Sequence, residues 1–132
     1  MSNINQLTRR EIKFRGRHLD NGEWIYGDLH IRAPFPHIHS EIDHNRVNID
    51  PHTVGQFTGL HDKNGKEIYE GDVVVIDGII RGYVRYNARY WRYEVAAADE
   101  PLENERIPSG RPEKCWMVIG NIHDNPKLLK TE

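Results

Sequence analysis

The chain has 132 residues, 37% of them hydrophobic and 29% charged, with a formal net charge of -2 at pH 7 and a pI near 6.4. That length fits one domain with its own core, and the charge balance excludes a global attraction to nucleic acid or to anionic membranes. Cys115, the lone cysteine, excludes an intramolecular disulfide, and apolar runs such as Val73 to Ile76 fall far short of the roughly 20 residues a membrane-spanning helix needs.

Residues 1–8 are polar and lack the basic and apolar regions of a secretion signal, so they read as a flexible tail and the expected location is cytoplasmic. From Glu11 to Arg17, Ile12 and Phe14 alternate with Lys13, Arg15 and Arg17, which predicts a strand with the cations outside. Asp20-Asn21-Gly22 is a hairpin turn, because Asn and Gly tolerate positive φ. The return strand, Trp24 to Ile31, sets Ile25, Leu29 and Ile31 against Trp24, Tyr26 and Asp28.

Residues 32–52 carry three prolines before Thr53 and several histidines, and they read as an irregular, variable loop with a short strand at most around Arg46 to Ile49. Thr53 to Thr58 is strand again, and Lys63-Asn64-Gly65-Lys66 is a second tight turn. Val73 to Ile76 is apolar on both faces and should be a central strand. Asp77-Gly78 turns the chain into a strand from Ile80 to Tyr86. A further strand, Trp91 to Val95, is expected to bury Trp91, Tyr93 and Val95 and to expose Arg92 and Glu94. Residues 97–113 form a second variable loop, polar and proline-bearing. Trp116 to Ile119 closes the set, and Asn125-Pro126 begins one helical turn, with Asn as cap and Pro in the first helical position.

The expected fold is therefore mainly β: short antiparallel strands, an N-terminal β-hairpin, an SH3-like small barrel over residues 71–129, and one short C-terminal helical turn. Residues 9–132 read as a single domain.

Three blocks resemble the YopX family: Arg10 to Arg15, the long stretch from Val54 to Val74, and Val118 to Leu129. The similarity runs over roughly residues 9–129. It implies a small, largely β protein encoded by phages or integrated prophages and able to form a homo-oligomer. It supplies no active site, and the loops at 32–52 and 97–113 stand as variable connections within such a family.

No residue constellation specifies catalysis, so no catalytic residue, cofactor or metal ligand is assigned. His37 and His39 would project to one side of a strand, with Asp43 or His44 as a third ligand and His52 further on, which frames a metal-dependent hydrolase as the weakest alternative. The spacing matches no zinc signature, and solvated loop histidines are the plainer reading. Asp62, Glu67, Glu70 and Asp72 could pair for acid–base work, but solvated surface charge around a turn explains them as well. Cys115 has no activating neighbour in sequence and reads as an inert thiol.

The residues that do suggest a binding surface are Arg81, Tyr83, Arg85, Arg89, Tyr90 and Arg92. Guanidinium groups beside aromatic rings suit a protein interface, and they also suit single-stranded nucleic acid. The leading expectation is a non-enzymatic binding or self-assembling module with a host or phage protein as partner. Nucleic acid is the second reading, disfavoured by the net charge, and no membrane role is expected.

Overall fold

The computed structural model describes residues 11–97 and 112–129. The expected tail at 1–8 and most of the expected loop at 97–113 lie outside the described residues. Ten strands run in chain order: β1 Phe14–Arg17, β2 Trp24–His30, β3 His37–Ser40, β4 Arg46–Asn48, β5 Gly55–His61, β6 Glu67–Tyr69, β7 Asp72–Ile76, β8 Ile80–Asn87, β9 Arg92–Ala97 and β10 Trp116–Asn121. One helical turn, α1 (Pro112–Cys115), precedes β10, and short 3-10 turns occupy Pro51–Thr53 and Pro126–Leu129. The fold is mainly β, as expected, and it divides into two compact units, Met1–Gly59 and Leu60–Glu132. No described helix is long and apolar enough to cross a membrane.

In the first unit the strand order is β4-β3-β2-β1-β5. The β1–β2 hairpin forms as its sequence predicts. Gly22 sits at φ 76 in the turn, and Arg17 faces Trp24 across the ladder. Its burial departs from expectation. Ile12 is 66% exposed, whereas Lys13 and Arg15 are buried. Alternation marks a strand with one wet face, but β1 lies between β2 and β5. Its cations are covered by rings instead of water: Arg15 and Arg17 lie over Trp24 at 4.7 and 5.3 Å, and Lys13 lies over Phe57 at 5.6 Å. Amphipathic stems with charge on an aromatic face make such burial tolerable. Ile31 is exposed too, because β2 ends one residue earlier.

The segment 32–52 corrects the sequence reading more deeply. The short strand expected around Arg46 to Ile49 is present as β4, but the rest is not an irregular loop: β3 and β4 form a hairpin that extends the sheet, with Gly27 to His30 paired to Ser40 to His37 and Ile38 opposite Val47. Ile38 and Ile49 are fully buried, and Gly16 lets them approach, since a Cβ on Gly16 would overlap the Ile49 side chain. The apolar residues of this segment are too scattered among prolines and histidines to announce the hairpin.

The second unit holds an antiparallel sheet in the order β10-β7-β8-β9, an open four-strand order and not a closed barrel among the described residues. β7 is central and buried, as its apolar run dictates. Asp77 at φ 54 and Gly78 at φ 71 make the tight turn from β7 to β8. Ile68, Val74, Ile76, Val84, Val95 and Trp116 form the core, with Leu60, Tyr93, Cys115 and Val118 packed against it. The predicted C-terminal turn is present: Pro126 begins it, Leu128 N–H donates to Asn125 O at 3.0 Å, and Asn125 Oδ1 accepts from Asn121 N–H.

Candidate functional site

The Arg/Tyr residues gather on the β8–β9 hairpin, and β-register explains how. Arg85 is opposite Glu94 and Asn87 is opposite Arg92, so alternation places Arg81, Tyr83, Arg85, Asn87, Arg92 and Glu94 on one face. Glu94 was expected outside, yet it is 1% exposed. Burial of this carboxylate is offset by donors: Arg85 Nε at 2.8 Å and Nη2 at 2.7 Å on Oε2, and Asn87 Nδ2 at 3.1 Å on Oε1. Arg92 Nε approaches Oε1 at 3.9 Å. The hydrogen bond from Arg85 to Glu94 is the main reason the Arg85 guanidinium holds its proton even more firmly than usual, against the opposing effect of burial.

The predicted set is thus brought together in part. Arg81 is exposed and donates from Nη1 to Leu128 O at 3.0 Å. Arg89 and Arg92 lie over the Tyr90 ring at 5.5 and 4.8 Å. Asn87 fixes the hairpin turn, accepting Arg89 N–H on its side chain and Tyr90 N–H on its backbone carbonyl.

The residue that sequence reasoning placed wrongly is Trp91. It does not begin a strand with an inward ring. It ends the turn at φ 60 and is 83% exposed, with Tyr90 and Tyr86 exposed at 46% and 43%. A bulky side chain at positive φ is uncommon and costs backbone strain. Four residues between β8 and β9 leave Trp91 outside the ladder, a boundary that alternation of Trp91, Tyr93 and Val95 disguises.

The acidic set does not converge on a common centre. Asp62 and Asp72 are buried, contrary to the surface expectation. Asp62 Oδ1 accepts backbone N–H groups of Asn64 at 2.8 Å and Lys66 at 2.9 Å, and Oδ2 accepts that of Val118 at 2.9 Å. Burial by itself would raise its pKa, but the donations from Val118, Lys66 and Asn64, with the Lys66 charge, hold it below the ordinary value. Asp72 Oδ2 accepts Tyr69 N–H at 2.7 Å, closing the bend before β7, and Glu67 accepts from the Tyr69 hydroxyl. These carboxylates organise backbone.

The histidines regroup. His37 and His39 lie in β3, whereas His44 is in the following turn at φ 62 and His52 is in the 3-10 turn. The third ring beside His37 and His39 belongs to His30, at the end of β2 and paired directly with His37. His30 was invisible as a partner because only the β2–β3 register, which the sequence did not reveal, brings it there.

A family model described as YopX protein matches residues 13–130. The fold is similar to that in the crystal structure of protein EF1440 from Enterococcus faecalis, with a TM-score of 0.53 and 24% identity over 92% of this chain and 100% of that one. Among curated proteins, none matches.

Proposed function

The chain belongs to the YopX family, and from that premise we propose that it is a phage- or prophage-encoded accessory protein that acts by binding, through self-association and contact with a host or phage protein. The contact surface in this reading is the tip of the β8–β9 hairpin.

One observation carries it: Trp91 is 83% exposed on a tight turn, with Tyr90 and Tyr86 exposed beside it in sequence. Large, rigid aromatic rings with few rotatable bonds dominate the energetics of protein interfaces. Arg89 and Arg92, packed on Tyr90, give this apolar tip a charged rim. Catalysis gains no support from Asp62 and Asp72, whose oxygens accept backbone hydrogen bonds. The nucleic-acid alternative draws on the same strand face, but there Arg85 and Arg92 converge on the Glu94 carboxylate, which offsets their charge toward phosphate.

Light scattering on the eluting protein, from dilute to high micromolar concentration, tests the proposal. The expected result is a mass that rises toward a dimer or a larger closed assembly. A strictly monomeric chain throughout would remove self-association, and tight, steeply salt-dependent binding of a labelled single-stranded oligonucleotide would favour the nucleic-acid reading instead.

A further inference from the structure

We propose that His30, His37 and His39 form a binding site for a divalent first-row transition metal, zinc foremost, that clasps β2 to β3. The proposal is independent of the hairpin-tip reading and concerns the first unit alone.

The geometry comes from the strands. His30 and His37 are direct cross-strand partners, and His39 follows His37 by two residues, so all three imidazoles project from one face of the β2–β3 ladder. Ring centroids are 4.9 Å apart for His30 and His37, 4.6 Å for His30 and His39, and 5.3 Å for His37 and His39. Each residue offers one ring nitrogen, and these atoms all lie within 4.8 Å of one another. Tetrahedral zinc with nitrogens near 2.1 Å sets its ligands about 3.4 Å apart, so closure requires side-chain rotations that take the imidazoles out of their stacking and turn their nitrogens toward one point. Two of these, His30 and His39, are exposed and free to make them.

A second, independent feature points to a ligand. His37 is 4% exposed, and its Nδ1 is buried with no hydrogen-bond partner among the described residues. Buried polar atoms are nearly always satisfied, and an unsatisfied one calls for an explanation. Coordination at this ring would anchor the imidazole that is otherwise least well accommodated. Imidazole donors suit zinc, copper and nickel better than magnesium or calcium.

The charges around the site act in both directions. Arg32 and Arg46 are close enough to act on His37 and oppose a cation. Against them, Asp28 is paired with His39 across the ladder, and it lines an open polar hollow of about 310 Å³ beside His39 together with Glu41, whose charge Lys13 offsets at 3.4 Å. Of the three ligands His39 borders this hollow, and three nitrogen donors leave a fourth position for water, an arrangement that holds metal while keeping it open to exchange.

The test uses untagged full-length protein, stripped with chelator and titrated calorimetrically with zinc alone, with cobalt absorption as a second readout of nitrogen coordination. One equivalent should bind saturably. H30A and H39A, both at exposed positions and checked for folding by circular dichroism, should each weaken binding at least about tenfold, as loss of a direct ligand exceeds the loss seen for outer-shell groups. H44A should bind as the unaltered chain does. The absence of a saturable equivalent, or a loss in H44A equal to that in H39A, would overturn the site.

Discussion

Two sets of polar residues, one in each unit, meet opposite fates. In the second unit Asp62, Asp72 and Glu94 are nearly inaccessible, yet they accept hydrogen bonds from backbone amides or from Arg85 and Asn87. In the first unit His30, His37 and His39 stack on one another, and the buried His37 Nδ1 has no hydrogen-bond partner among the described residues. Carboxylates that resemble catalytic pairs in sequence are therefore folding devices, whereas histidines that resemble loop polarity form a constellation still open to a ligand. What separates these carboxylates from His37 is whether the buried polar atom is answered from within the chain.

Replacing the answered groups should produce the largest effects. D62A leaves three backbone N–H groups without their charged acceptor and should cost about 4 kcal/mol in urea unfolding followed through Trp116. Next, R85A should cost roughly 2 kcal/mol by leaving the buried Glu94 with only Asn87 and Arg92. That is below the 3–5 typical of fully buried pairs, because the Arg85 side chain is itself 40% exposed. Pairing R85M with E94L should recover much of that loss in a double-mutant cycle, which would identify desolvated charge, and not side-chain volume, as the cause.

Acid should reproduce part of the D62A effect. Because the folded Asp62 carboxyl lies below its ordinary value of 3.8, its contribution is complete above that value and disappears as pH falls through the lowered folded value. The urea midpoint of the unaltered chain should therefore fall more steeply than that of D62A on acidification from about pH 5. Equal slopes would mean that Asp62 is not the group that senses acid.

The smallest stability effect should come from the binding tip. W91A removes an exposed ring and leaves the Cβ at positive φ unchanged, so stability should stay within about 0.5 kcal/mol. A larger loss would place Trp91 in the folding machinery and erase its contrast with Asp62.

Much of the architecture is legible in the sequence where period-two alternation and turn dipeptides agree. Val73 to Ile76, Asp77-Gly78, Asn21-Gly22 and Pro126 all specify the elements they occupy. Legibility fails where burial is two-sided. Lys13 and Arg15 on β1 and Glu94 on β9 look solvated in sequence because charge normally seeks water, but rings and guanidinium groups stand in for that water here. It fails again at β3, where Pro34 and Pro36 and two histidines outweigh the lone apolar Ile38, so the register that joins His30 to His37 could not be anticipated. The Arg and Tyr residues singled out in the sequence do fall on one hairpin, but its most exposed aromatic was misplaced by a single strand boundary.

Light scattering of W91A beside the unaltered chain, at matched high micromolar concentration, bears most directly on the proposal that exposed aromatics at the hairpin tip mediate binding. Self-association should weaken at least about tenfold while the fold persists, in keeping with the loss of an interface hot spot. An assembly that W91A leaves untouched would contradict it.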